Sequence, residues 1–138
     1  MDSKTFESLG GIAMLEKVAK YFYDRIYEHP TLGQYFKHIN QQHLESQQVN
    51  FISQSFGGPK SYAGKGPLLA HIHINITEKI YVLREKLLIE SLDACNASED
   101  LKIRWMTIDR AFKKGLIKGS LADCKKRFFT DNIIDFPH

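Results

Sequence analysis

The chain has 138 residues, with 19 lysines and arginines against 16 aspartates and glutamates, a net charge of +3 whose signs are interspersed. That length suits one domain able to bury roughly two-thirds of its unfolded surface, and so even a charge leaves no basic face of the kind nucleic acid demands. Cys95 and Cys124 lie far apart with no CxxC spacing, the start is not signal-like, and no segment reaches the roughly 18 apolar residues of a membrane span; a reduced, cytoplasmic protein is expected.

After Gly10-Gly11, Leu15, Val18, Ala19, Phe22 and Ile26 recur at helical spacing, with Tyr23 and Tyr27 on the flank, until Pro30 stops the run. A short piece holding Tyr35 and Phe36 follows. A second stripe of Leu44, Gln48, Phe51, Ile52, Ser55 and Phe56 ends at Gly57-Gly58-Pro59. Those residues, with Gly64, Gly66 and Pro67, forbid a regular helix and predict a connection folded tightly round something flat and apolar. Asn75 with Glu78 three residues on has the form of a capping box, opening a third helix through Ile76, Ile80, Leu83, Leu87 and Leu88 to about Ala94. Ser98, Glu99 and Asp100 predict the start of a fourth, with Leu101, Trp105, Ile108, Phe112 and Leu116 as its buried stripe. No run alternates with period two for the length of a strand, so the fold class is all-α.

Two units are expected, a helical domain over 1–118 and an extension over 119–138. The extension carries Lys125, Lys126, Arg127, Phe128, Phe129, Ile133, Ile134 and Phe136. So many large apolar side chains are costly to leave in water. They predict a short packed helix or a tail that folds back on the core or docks on a second copy, with a membrane-surface role as the alternative.

His71, on the broken connection, reads either as a histidine satisfied by a carbonyl or as one whose ring nitrogen points into the core. With His73 it also has the spacing to clasp zinc, but no further ligand is near in sequence. Gln48 on an apolar stripe needs a partner, because a buried amide without one costs on the order of 1 to 3 kcal/mol. The Tyr23 hydroxyl has the same need. The two either meet over a small polar ligand or are satisfied separately by backbone and solvent. Phe22, Phe36, Phe51 and Phe56 read as plain core or as apolar walls of a planar cofactor.

Phe6-Glu7-Ser8-Leu9-Gly10-Gly11, Phe22-Tyr23-Asp24-Arg25, Tyr35-Phe36, Gln48-Val49-Asn50-Phe51, Phe56-Gly57-Gly58-Pro59-Lys60-Ser61-Tyr62 and Ala70-His71 stand in an order and spacing that resembles the truncated haemoglobins, most closely their first group. The resemblance covers about Phe6 to Leu116. It implies a two-over-two helical sandwich enclosing haem b, with His71 as the iron ligand, Tyr23 and Gln48 as distal donors, and Leu44 and Gln47 on the neighbouring distal positions. Phe22, Phe36, Phe51, Ile52, Tyr62, Lys65, Ile76 and Tyr81 are expected to line the cofactor. His73 is expected toward the haem edge or solvent, meeting a propionate with His43 or Lys65. Gln47 stands where some relatives carry an iron-capping histidine, and Leu101 to Leu116 holds no histidine to bond haem covalently, which together imply five-coordinate ferrous iron. Arg84 departs from the aliphatic residue that relatives commonly place facing the interior.

The resemblance further implies binding of oxygen, nitric oxide or carbon monoxide. A phenol and an amide over bound oxygen, which gains negative character, favour slow release. Conversion of nitric oxide to nitrate, fed by an electron donor or reductase, is the use placed first. A non-enzymatic carrier or sensor is the alternative, and an all-α interaction module is a third reading. The protein is expected as a monomer or weak homodimer. Because each pocket residue so named precedes Lys118, removal of the tail is expected to leave the haem spectrum nearly intact.

Overall fold

The structure, a computed structural model, describes residues 3–56 and 70–136. Helix α1 (Ser3–Ser8) turns abruptly into α2 (Gly11–Glu28) through Gly10 and Gly11, both in the left-handed region at φ +109° and +59°. A Cβ on Gly10 would lie 2.5 Å from the Cβ of Met14, so this corner needs glycine for space as well as for backbone conformation. The stripe read from sequence is the buried face of α2, where Leu15, Val18, Ala19, Phe22, Tyr23 and Ile26 all leave solvent. Beyond α2 the His29 Nδ1 accepts from the amides of Thr31 and Leu32, and a tight turn over Leu32–Tyr35 follows.

Helix α3 (Gln41–Ser55) is capped by the Asn40 side chain, which accepts from the His43 amide. Helix α4 (Glu78–Ala94) is capped by Thr77, whose hydroxyl accepts from the Ile80 amide at 3.2 Å. The expected Asn75 cap is thereby corrected: the Asn75 side-chain amide donates to Asp135, and its backbone N–H donates to the Ile134 carbonyl. Ser98 caps α5 (Glu99–Ala111) as its sequence predicts, with Glu99 and Asp100 in the positive first turn. The stripe expected to run on to Leu116 breaks at Phe112, and α6 is the short piece Lys113–Leu116.

Helix α2 packs chiefly on α3 and α4, and Trp105, Leu88, Leu92 and Leu101 close the core beside it. Among the described residues there is no strand, only the isolated parallel bridges Ile74 to Ile134 and Ile76 to Ile117. No described helix is long and apolar enough to cross a membrane. Of the two expected forms of the extension, a packed helix or a tail, it takes the second, folding back on the core with a single turn at Leu121–Asp123. Ile134 and Phe136 pack against the core, whereas Phe128 and Phe129 are 55% and 94% exposed in the single chain.

Candidate functional site

Helix α3 carries two kinds of face. Val49, Ile52, Ser53 and Phe56 are fully buried, whereas Leu44, Gln47, Gln48 and Phe51, at spacings of three and four on the other side, are half-buried. Gln48 therefore sits beside the buried row and not in it. Near this helix the Tyr23 ring meets Phe22 edge-on at 5.1 Å and Phe36 at 6.3 Å between centroids, while Phe36 also leans on Tyr27. Phe51 packs on Phe112 at 5.9 Å.

Burial pushes the Tyr23 phenol up to about 12, with the nearby Arg84 charge opposing. Burial likewise takes Tyr81 to about 12, and its hydroxyl, enclosed by protein, has no hydrogen-bond partner among the described residues. Both phenols are consequently neutral donors at physiological pH. Arg84 points inward, its Nη1 2.9 Å from both Asp109 oxygens and its Cζ 5.3 Å above the Phe22 ring. The two side chains are 28% and 9% exposed. Burial pulls the guanidinium pKa down, and the charge and hydrogen bonds of Asp109 more than offset it, so the net shift is upward.

His71 closes a helical turn with Ala70 and is half-buried. Its carbonyl accepts from the Ile74 amide at 3.0 Å and from Lys118 Nζ at 3.3 Å. His73 is turned away from solvent, at 4% exposure, which corrects the solvent alternative for it. His43 is exposed, and its amide serves the α3 cap. Ile52 is buried, Ile76 is half-buried in its bridge to Ile117, and Tyr62 and Lys65 lie outside the described residues. Sequence reasoning missed Lys118, and it expected Ile134 and Phe136 to pack without identifying their partners, the His71 segment and the Tyr35 turn. No local signal announces such contacts, since each spans a long stretch of chain.

The side chains are of the types that haem takes: one imidazole at the end of a helical turn, a protonated buried phenol against Phe36, and two half-buried amides on a helix face that also offers Leu44 and Phe51. No cluster of three histidine, cysteine or acidic side chains fit for a metal ion occurs among the described residues. The family profile of the bacterial-like globins matches residues 4–113. The chain belongs to that family. Its members bind haem and, through it, diatomic gases. This globin is 35% identical over 71 residues to a Group 1 truncated hemoglobin of Tetrahymena thermophila, a stretch covering 51% of this chain and 59% of that protein. A second Group 1 truncated hemoglobin, from Tetrahymena pyriformis, matches at 30% over the same length. Among solved structures, the hemoglobin of Chloroflexus aurantiacus superposes with a TM-score of 0.73 at 20% identity, covering 82% of this chain and 96% of that one. The truncated oxygen-avid haemoglobin of Bacillus subtilis gives 0.72 at 20% identity over 82% and 98%. The globin fold here is thus the two-over-two helical sandwich of the truncated haemoglobins, as its sequence implies.

Proposed function

We propose that this globin binds haem through His71 and holds a gas ligand with Tyr23, assisted by Gln48 and Gln47. The observation that carries the reading is the Tyr23 phenol, buried, protonated and set against Phe36 beside the half-buried α3 face. Haem, when bound, would supply the iron that takes oxygen, nitric oxide or carbon monoxide, and the use we place first is conversion of nitric oxide to nitrate, renewed by an electron donor or reductase. Gln47 and Gln48 are amides, poor iron ligands beside an imidazole, which supports a distal position left open and an iron held by His71 alone. Phe22, Phe36, Leu44, Phe51, Ile52 and Ile76 provide apolar walls that exclude water and strengthen each donor's hydrogen bond. Tyr81 adds a buried hydroxyl free to donate, and Tyr62 and Lys65 complete the proposed lining. A protonated phenol gives charge-bearing bound oxygen a stronger bond than it gives carbon monoxide.

His71→Gly tests the ligand. The variant should fail to retain haem, or retain it only with added imidazole, as read from the visible spectrum. A native spectrum in His71→Gly together with its loss in His73→Gly would move the ligand two residues and refute this assignment.

A further inference from the structure

The residues Ile72 to Ile76 belong to no helix, so their backbone groups must find partners elsewhere. The tail and the residue before it supply them. The Lys125 amide donates to the Ile72 carbonyl at 2.9 Å, the Ile134 amide to the His73 carbonyl at 2.8 Å, and the Lys118 amide to the Ile76 carbonyl at 2.8 Å. In return the Asn75 amide donates to the Ile134 carbonyl at 2.8 Å, and its side chain donates to Asp135 at 2.9 Å. Lys118 Nζ spans the Leu116 carbonyl at 2.8 Å and the carbonyl of His71 itself at 3.3 Å.

This strap is fixed along its length. At one end Ile117 bridges to Ile76 beside α6. In the middle the buried Asp131 takes two bonds from the Arg127 guanidinium, at 2.8 and 2.9 Å, and one from its amide. At the far end the Phe136 ring meets Tyr35 edge-on at 5.0 Å, and the Tyr35 hydroxyl donates to the Phe136 carbonyl. Tyr35 adjoins Phe36, so the strap joins the His71 segment to the turn that carries the aromatic wall.

From this geometry we infer that the C-terminal strap positions His71, with Lys118 and Ile134 as the positioning residues, and so sets the angle and pull that the imidazole exerts on the iron. The inference rests on the gas-binding reading above for the role of His71. It departs from the expectation that removal of the tail leaves the haem spectrum nearly intact. The family profile matches residues 4–113, so the strap lies outside the matched region.

Ile134→Pro deletes the N–H that bonds the His73 carbonyl, and Lys118→Met deletes the bond to the His71 carbonyl. Two measurements on the full chain decide the matter. In haem-free protein, Ile134→Pro should speed exchange of the Asn75 amide by roughly tenfold or more while amides of α2 and α4 keep their rates. In haem-loaded ferrous protein, both variants should shift the iron–histidine stretching band in the resonance Raman spectrum, and Lys118→Arg should restore it. An unchanged Asn75 exchange rate, or faster exchange with an unshifted band, overturns the inference. A full chain that takes up no haem while Asn75 stays protected overturns the gas-binding reading and the positioning role with it, and that result is distinct from the other two. If Ile134→Pro does not fold, the Lys118→Met band alone decides, an unshifted band being the negative.

Discussion

The wall around Tyr23 and the segment after His71 are held by different forces. Phe22, Tyr23, Ile26 and Ile52 stay in place because apolar area leaves water, a non-directional effect distributed over many contacts. The segment from Ile72 to Ile76 is held by directional backbone bonds to a tail. A wall built by burial tolerates small shifts of any one neighbour, whereas a strap built from few bonds transmits the loss of each to the residue it holds.

The sharpest way to break this contrast is Phe22→Ala. The wall should lose about 3 to 5 kcal/mol of stability, as deletions of large buried aromatics do, and denaturant unfolding reads it directly. A loss below about 1 kcal/mol would mean that burial does not hold the wall. Next is Asp109→Ala, which strands the inward Arg84 charge and should cost up to about 3 kcal/mol; the double variant Arg84→Met with Asp109→Leu should recover most of it. Failure of the double variant to recover would show that the pair contributes more than charge compensation.

Tyr23→Phe should leave stability close to the parent but speed oxygen release by about one to two powers of ten, since a hydrogen bond to a charge-bearing acceptor is worth roughly 1.5 to 3 kcal/mol. Carbon monoxide release, measured alongside by flash photolysis or stopped flow, should change far less. Equal effects on both gases would assign Tyr23 to packing.

The smallest effect concerns pH and the strap. The Arg127 side chain, by hydrogen bonding and charge, with the Arg127 and Asn132 amides, holds the Asp131 carboxyl well below the usual aspartate value. A depressed folded-state pKa contributes stability that is complete above the unfolded value near 3.8 and is lost as pH falls through the lower folded value. The strap should therefore stay closed through mild acidification and loosen only in strong acid, followed by exchange of the Asn75 amide. Asp131→Asn should make that exchange faster at neutral pH, with no further acid step from this site.

Much of the wall was legible because it is local. Leu15 to Ile26 announces α2 by period alone, and Ser98 with two acids announces the start of α5. Asn75 misleads because its type suits a cap, yet Asp135 and Ile134 claim its polar groups and Thr77 takes the cap position. Phe112 misleads in another way: it fits the stripe of α5 but packs on Phe51 at the break before α6. The roles proposed for Tyr23 and His71 come from resemblance. Lys118 was not legible, because a lysine beside a helix end reads as solvated until the fold brings the His71 carbonyl, 47 residues earlier, within reach.

Those separations also order events in time. Asn75 and Asp135 are 60 residues apart, and Tyr35 and Phe136 are 101 apart. Contacts between distant residues are slow to close, and a chain made from its N-terminus meets them last. As α2 and α3 emerge from the ribosome they can already pack on each other, but the His71 segment lacks its backbone partners until synthesis has passed Phe136. Closure of the His71 segment thus follows the packing of the helical core in the order of synthesis.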